Sequence, residues 1–254
     1  MTAAPHTPLA VVVIAAGKGT RMRSPLAKVL HPLAGRPLIR HVLEVARRLA
    51  PEQLVVVVGH QAEAVQAACA PYDVTCVVQE PQLGTGHAVA QAEAILATFP
   101  GDVLVLYGDV PLLRPATAQH LWDTHRRQQA AVTVLTARLA HPTGYGRILR
   151  DPQGNIVRIV EERDATPAEQ SVQEINSGVY CLQAPFLFAA LHRIGRNNAQ
   201  GEQYLTDVVA IAVREQRPVA TVTLPEDQAY EIRGVNTVEE LAQHEALQRQ
   251  HHQG

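Results

Sequence analysis

The residues best suited to chemistry lie near the start of the chain. Gly17-Lys18-Gly19-Thr20-Arg21 interrupts an apolar run, Leu9 to Ala16, and Arg23 and Lys28 follow closely. Two glycines let the backbone turn tightly and approach a ligand. Successive N–H groups in such a turn face inward and form a nest for an anion. Lys18, Arg21, Arg23 and Lys28 put cations around it. Arginine grips phosphate with two parallel bonds, and lysine adds a compact charge. The chemistry implied is the holding of a nucleoside triphosphate. The spacing is not that of a P-loop, G-x-x-x-x-G-K-[ST]. Nor is it the dinucleotide fingerprint G-x-G-x-x-G, because Met22 stands at the third glycine position.

Elsewhere, candidate groups follow apolar stretches. Gln79 follows Val74–Val78, and Asp109 follows Asp102–Tyr107 and Gly108. No Ser-His-Asp or Cys-His arrangement for nucleophilic catalysis stands out. The twelve histidines include no H-x-x-x-H or H-x-H pair. They read as structural or surface residues, with His87 the one to watch. His251-His252 falls in a polar tail. Cys69, Cys76 and Cys181 lack metal-ligand spacing and read as buried, reduced thiols of a cytoplasmic protein.

Composition sets the frame. A chain of 254 residues allows one large α/β domain or two small ones. It is 46% hydrophobic but only 4% aromatic, so Ala, Val and Leu must build the core. A formal net charge of -2 argues against a broad basic surface for nucleic acid. No apolar run approaches the ~18 residues of a membrane span. The N-terminal MTAAPHTP lacks the basic and apolar regions of a signal peptide.

The elements that must position these groups alternate. Strands are predicted at Leu9–Ala16, Leu54–Val58, Val74–Gln79, Asp102–Tyr107 and Ala131–Leu139. Helices are predicted at Pro37–Ala50, Gln61–Ala70, from the Gln82–Ala88 loop to about Thr98, and from Pro115 to about Gln129. Alternation of this kind predicts a Rossmann-like, three-layer, mostly parallel sheet with ligands at the carboxyl ends of its strands. From His141 the pattern changes. Ile148–Arg150 and Ile156–Glu161 flank a Pro152–Asn155 turn and read as a hairpin, and Glu174–Leu182 reads as a strand. Helices at Ala184–Ile194 and Tyr204–Gln216 and a strand at Val219–Leu224 follow. Thr237–Gln250 reads as an exposed helix with a capping-box-like start. The second half reads as a smaller lobe. Residues 1–236 are expected to form the functional domain, with 237–254 starting a linker helix.

The stretch IAAGKGTRMRSPLAKVLHPLAGRPL resembles the signature of sugar-1-phosphate nucleotidyltransferases, G-x-G-T-R-[ML]…P-K. It is most similar to the uridylyltransferase half of the bacterial bifunctional N-acetylglucosamine-1-phosphate enzymes. The resemblance runs through six motifs between Leu9 and Asn236. Two positions depart from it: Ala27 stands where proline usually precedes the lysine, and Gln203 where tyrosine is usual.

The resemblance implies the nucleotide-diphospho-sugar transferase fold with a smaller, sugar-binding lobe, and a set of roles. Backbone at Ile14, Ala15, Ala16 and Gly17 would hold uracil and ribose. Arg21 would face the β and γ phosphates, and Lys28 the reacting phosphates. Gln79 would read uracil, with Gly84 and Thr85 packed on the nucleoside. Tyr107 belongs to the Y-G-D of the metal site, where Asp109 and Asn236 would hold Mg²⁺. Gly146, Glu161 and Asn176 would contact the sugar, with Tyr204 and Thr206 beside it. The implied reaction joins UTP and N-acetylglucosamine 1-phosphate to give UDP-N-acetylglucosamine and pyrophosphate, a cell-wall precursor. No nucleic-acid or membrane partner is expected. The two rivals are a nucleotidyltransferase for another sugar 1-phosphate and a non-catalytic nucleotide-sugar sensor. No hexapeptide repeat of the left-handed β-helix occurs in the 254 residues. Acetyltransferase activity and a stable trimer are therefore not expected.

Overall fold

The first apolar run forms β1 (Leu9–Ala15), and every residue from Leu9 to Val13 is at most 2% exposed. In this computed structural model residues 7–251 are described; the N-terminal MTAAPH and the tail from His252 lie outside them. A two-residue ribbon follows, β2 (Pro32–Leu33) and β3 (Arg36–Pro37), then α1 (Leu38–Arg48). Next come β4 (Gln53–Val58), α2 (Ala62–Cys69), β5 (Thr75–Val78), α3 (Thr85–Ala90), α4 (Glu93–Leu96) and β6 (Asp102–Tyr107). The chain continues through α5 (Pro115–Arg127), β7 (Val132–Arg138), β8 (Arg147–Arg150), β9 (Ile156–Val160) and α6 (Pro167–Gln170). It ends with β10 (Glu174–Gln183), α7 (Ala184–Leu191), α8 (Asp207–Arg214), β11 (Val219–Thr223), a 3-10 segment at Glu226–Ile232, and α9 (Val238–His251).

The main sheet runs β11-β7-β10-β6-β1-β4-β5. Within it β6, β1, β4 and β5 are mutually parallel, as are β7 and β11. β10 is antiparallel to both its neighbours, β6 and β7. Alternation of side chains along each strand splits the core in two. Val11 and Val13 pack with residues of α1, α2 and α5. Ala10 and Val12 pack on the other face with residues of α3, α7 and α8. The expected three layers and mostly parallel sheet are therefore present. The smaller lobe grows out of this sheet: β8 pairs with β10, and β9 pairs with β8.

Several local expectations are corrected. The long helix after Gly84 is two short ones, α3 and α4. The helix expected from Tyr204 begins at Asp207, leaving Tyr204 and Thr206 in the preceding turn. The last helix is not simply exposed. It starts with the expected capping box: Glu240 N–H donates to Thr237 Oγ1 at 3.1 Å, and Thr237 N–H to Glu240 Oε2 at 3.2 Å. His244 on α9 is 2% exposed, and its Nε2 lies 2.8 Å from the Arg233 carbonyl. Leu241 packs against a small cluster of Met22, Leu33, Leu38 and Val235. No helix among the described residues is long and apolar enough to cross a membrane.

Candidate active site

Loops after β1, β5 and β6 all leave the same edge of the sheet. Register fixes this, since Ile14 lies opposite both Val57 and Tyr107. After β1 the chain turns at Gly19, whose φ is +62°. A Cβ there would lie 2.5 Å from Lys28 Cβ, so only glycine lets the turn lie against the lysine. Met22 is buried in the small cluster beneath the turn, next to Val235. Burial of these two residues holds their neighbours, Arg21 and Asn236, on the same side of the cleft. A bond from Val235 N–H to the Asp109 carbonyl, 2.8 Å, brings Asn236 beside Asp109.

The result is a tight polar cluster. Lys28 Nζ donates to Asp109 Oδ2 in an ion pair and to Asn236 Oδ1 at 3.0 Å. Arg21 Nη2 donates to the same Asn236 oxygen at 2.9 Å. Glu240 Oε2 accepts from Asn236 N–H at 2.6 Å, so the first turn of α9 holds this residue from behind. Arg21, Tyr107, Asp109, Tyr145 and Asn236 line a cavity of about 180 Å³ here. The position usually held by proline is also explained. Ala27 N–H donates to Gln61 Oε1 at 2.7 Å, and Gln61 Nε2 donates to the Pro25 carbonyl at 2.7 Å.

A second corner lies at the end of β5. Gln79 is buried, and its Nε2 stands 2.9 Å from the Gly84 carbonyl and 3.1 Å from His87 Nδ1. Gly84 has φ +112°, and a Cβ there would meet the Gln203 carbonyl at 2.5 Å. The loop clasps its neighbour through backbone: Gly86 N–H to Gln203 O and Gln203 N–H to Leu83 O, both 2.8 Å. Leu205 N–H donates to Thr85 Oγ1 at 3.0 Å. Because position 203 clasps Gly86 and Leu83 through its main chain, glutamine serves there in place of tyrosine. Of the β1 end, the Ile14 carbonyl accepts from Gly108 N–H at 2.9 Å, and the Ala16 carbonyl from His60 N–H and Gln82 Nε2. Ala15 is buried and Gly17 exposed.

The third corner is on β9, β10 and the turn before α8. Glu161 Oε1 accepts from Thr206 Oγ1 at 3.1 Å. Burial pushes the Glu161 carboxyl above its usual range; the Thr206 bond opposes this, while Asp164, Asp207 and Glu202 reinforce it. A Cβ on Gly146 would crowd Ile159 Cγ2 at 3.2 Å and touch Glu161 Oε2 at 3.5 Å, so Gly146 lies directly against that carboxylate. Gly146 O accepts from Asn176 N–H at 2.9 Å. Asn176 Oδ1 accepts from Gly178 N–H at 3.0 Å and from Tyr180 Oη–H at 2.8 Å. That leaves the Asn176 amide nitrogen as the group able to donate outward. Tyr204 Oη accepts from Gln200 Nε2 at 2.9 Å. Glu161, Asp164, Tyr204 and Thr206 line a cavity of about 250 Å³. Tyr107, whose hydroxyl pKa is pushed up by burial, packs its ring on Gly178 of β10.

Residues 11–171 match the MobA-like NTP transferase domain. The chain belongs to that family, and within it to the GlmU group. It is 53% identical over 236 residues to the bifunctional protein GlmU of Pelobacter propionicus, covering 92% of this chain and 51% of that protein. It is 48% identical over 237 residues to the bifunctional protein GlmU of Desulfotalea psychrophila, covering 93% of this chain and 69% of that protein. The chain spans about half the length of most such GlmU relatives. Among solved structures, a UDP-glucose pyrophosphorylase complexed with UDP-glucose superposes with a TM-score of 0.76 over 96% of this chain and 99% of its own. At 18% identity that likeness shows the shared fold.

Nucleotidyltransferases of this family generally use a divalent metal. The residues present fit such an ion. Asp109 Oδ2 and Asn236 Oδ1 converge on a single cationic group, the Lys28 ammonium, and two hard oxygens suit a hard divalent cation.

The GlmU-like site also depends on residues that motif matching passed over. Gln61, Tyr180 and Glu240 all act by holding another residue. Only Glu240 carried a legible signal, as the third residue after Thr237 in a capping box. Away from the cleft, Asp102, His125 and Cys181 bring their ligand atoms within 4.8 Å of one another despite their sequence spacing. Asp102 accepts from Trp122 Nε1 at 2.9 Å and lies 3.3 Å from His125 Nε2, while His125 Nδ1 lies 2.9 Å from Thr133 Oγ1. This network pins α5 to the sheet.

Proposed function

We propose that the chain is a UTP:N-acetylglucosamine-1-phosphate uridylyltransferase, forming UDP-N-acetylglucosamine and pyrophosphate for cell-wall precursor synthesis in the cytoplasm. The observation that carries this reading is the meeting of Lys28 and Arg21 on the oxygens of Asp109 and Asn236, flanked by the amide corner at Gln79 and the sugar corner at Glu161 and Asn176. GlmU relatives near 50% identity support the same reading.

In this mechanism Gln79, Gly84, Thr85 and the backbone from Ile14 to Gly17 seat the uridine. Arg21 meets the β and γ phosphates. Lys28 has three donors, so it can keep Asp109 and still reach phosphate. Glu161, as a carboxylate, accepts from sugar hydroxyls, and Asn176 donates to an oxygen such as the acetamido carbonyl. Gly146, Tyr204 and Thr206 shape that pocket. Mg²⁺, held by Asp109 and Asn236, would neutralise triphosphate charge. The sugar phosphate oxygen forms a bond to the α-phosphorus as the bond to the pyrophosphate oxygen breaks. The second pKa of a phosphate monoester is about 6, so the nucleophile is already ionised near neutral pH. No side chain need act as base, and catalysis consists of alignment and fixed positive charge. The functional unit in this reading includes residues 1–236 and the first turn of α9, which supplies Glu240.

Pyrophosphate release across a panel of nucleoside triphosphates and sugar 1-phosphates tests the assignment. UTP with N-acetylglucosamine 1-phosphate should be the fastest pair. Faster turnover with glucose 1-phosphate or dTTP would replace the substrate assignment. Binding without pyrophosphate release from any pair would favour a sensor.

A further inference from the structure

His87 sits in the first turn of α3 with no role in the account above. Its ring touches two side-chain amides. Gln79 Nε2 lies 3.1 Å from His87 Nδ1, and Gln91 Nε2, which also donates to the His87 carbonyl at 2.9 Å, lies 3.2 Å from His87 Nε2. The orientation of Gln79 is not arbitrary. The atom 2.9 Å from the Gly84 carbonyl must be the amide nitrogen, because a carbonyl oxygen only accepts. An amide nitrogen carries two hydrogens. One points to Gly84 O, and the other goes to His87 Nδ1. A neutral ring accepts at one nitrogen only, and taking that as Nδ1 leaves the Gln91 amide nitrogen its own bond to the His87 carbonyl at 2.9 Å. Burial and the charge of Arg196 both favour that neutral form, holding His87 below its usual range.

With both hydrogens engaged, Gln79 has only Oε1 left to offer a ligand. A carbonyl oxygen pairs with the ring N–H of uracil. It repels the bare ring nitrogen that cytosine presents at the same place. We propose that His87 is a positioning residue for nucleotide choice: by accepting from Gln79 it keeps the amide oxygen facing the base, so that uracil is preferred to cytosine. The inference rests on the reading of Gln79 as the base contact in the proposed function. It deepens that reading by naming what aims the contact.

The test is direct binding of UTP and of CTP to the full chain by calorimetry, with Mg²⁺ present and no sugar phosphate. His87→Leu and His87→Ala remove the acceptor. His87→Asn restores one, since asparagine Oδ1 can reach the place of Nδ1. The UTP-to-CTP affinity ratio should fall about tenfold in the first two, the scale of one hydrogen bond, and return in the third. Thermal unfolding of each variant separates a folding defect from a change of preference. An unchanged ratio in folded His87→Leu or His87→Ala overturns the inference while leaving the uridylyltransferase reading intact. Equal loss in His87→Asn assigns the effect to ring packing and also overturns it. If the wild-type chain binds neither nucleotide, or both equally, the base contact itself is wrong, and both readings fall at that point.

Discussion

Ala27 donates its backbone N–H to Gln61 Oε1 at 2.7 Å, although 34 residues separate them. The bond involves the one backbone group that a proline would lack. It ties the loop carrying Lys28 to the N-terminal end of α2, so the loop is fixed by a contact where the family signature would place a proline ring.

The two solutions should be interchangeable. Ala27 has φ -54°, within the range of proline. Gln61→Ala alone should cost about 0.5–1.5 kcal/mol of stability. In an Ala27→Pro background the donor is already gone, and the same change should cost less. A denaturant double-mutant cycle measures the difference; strict additivity would show that the bond contributes nothing.

Lys28 and Asp109, though paired, should fail differently. Lys28→Ala removes a fixed cation and should slow turnover by on the order of 10²–10³ while leaving it Mg²⁺-dependent. Asp109→Ala leaves a neutral amide as the protein's share of the metal site. Its turnover should fall further and recover partly at high Mg²⁺. A Mg²⁺ titration of both variants decides. An unchanged midpoint in Asp109→Ala would remove Asp109 from the metal site.

Tyr180→Phe should act on the sugar alone. It frees one of the two bonds that orient Asn176 Oδ1, so the amide can turn its oxygen outward. The KM for N-acetylglucosamine 1-phosphate should rise by about tenfold, one hydrogen bond's worth, with the KM for UTP unchanged. Steady-state kinetics with each substrate varied in turn checks this. A parallel rise for UTP would show general loosening of β10.

Glu161 ties function to a stability cost with a definite sign. Burial raises its carboxyl pKa in the fold. Between the unfolded and folded values the native state holds more protons, so stability drops as pH rises through that window and stays lower above it. Glu161→Gln should therefore raise the melting temperature at pH 7–8. The gain should shrink as the pH falls and the wild-type carboxyl protonates. The same variant should bind the sugar phosphate less well. Melting curves across pH, beside binding isotherms, test both halves; a gain independent of pH would place its origin elsewhere.

Much of this was readable because burial on both faces leaves long apolar runs. β1, β4 and β6 were visible for that reason, and Lys28 and Asp109 came with them because they follow strands at one edge. Asn236 was legible only through the Gly-Val-Asn resemblance, since nothing local marks it. The β2–β3 ribbon is too short to show alternation. α6 has four residues, too few for a helical period. The residues missed at the site share a property: Gln61, Tyr180 and Glu240 contact the working residues from behind. Their signal lies in contacts made across the fold, 34 residues apart for Ala27 and Gln61.

β10 fills the middle of the sheet and comes late in the chain. A ribosome delivers β1, β4, β5 and β6 first, and β6 then waits with one edge unpaired until residues 174–183 emerge. β7 waits too, for β10 on one side and β11 on the other. Such an open apolar edge is a template for wrong partners, so the nascent chain is most vulnerable over this interval. The strand that ends the exposure also carries Asn176. A molecule that has sealed its β6 edge has, in the same act, brought in a wall of its proposed sugar pocket.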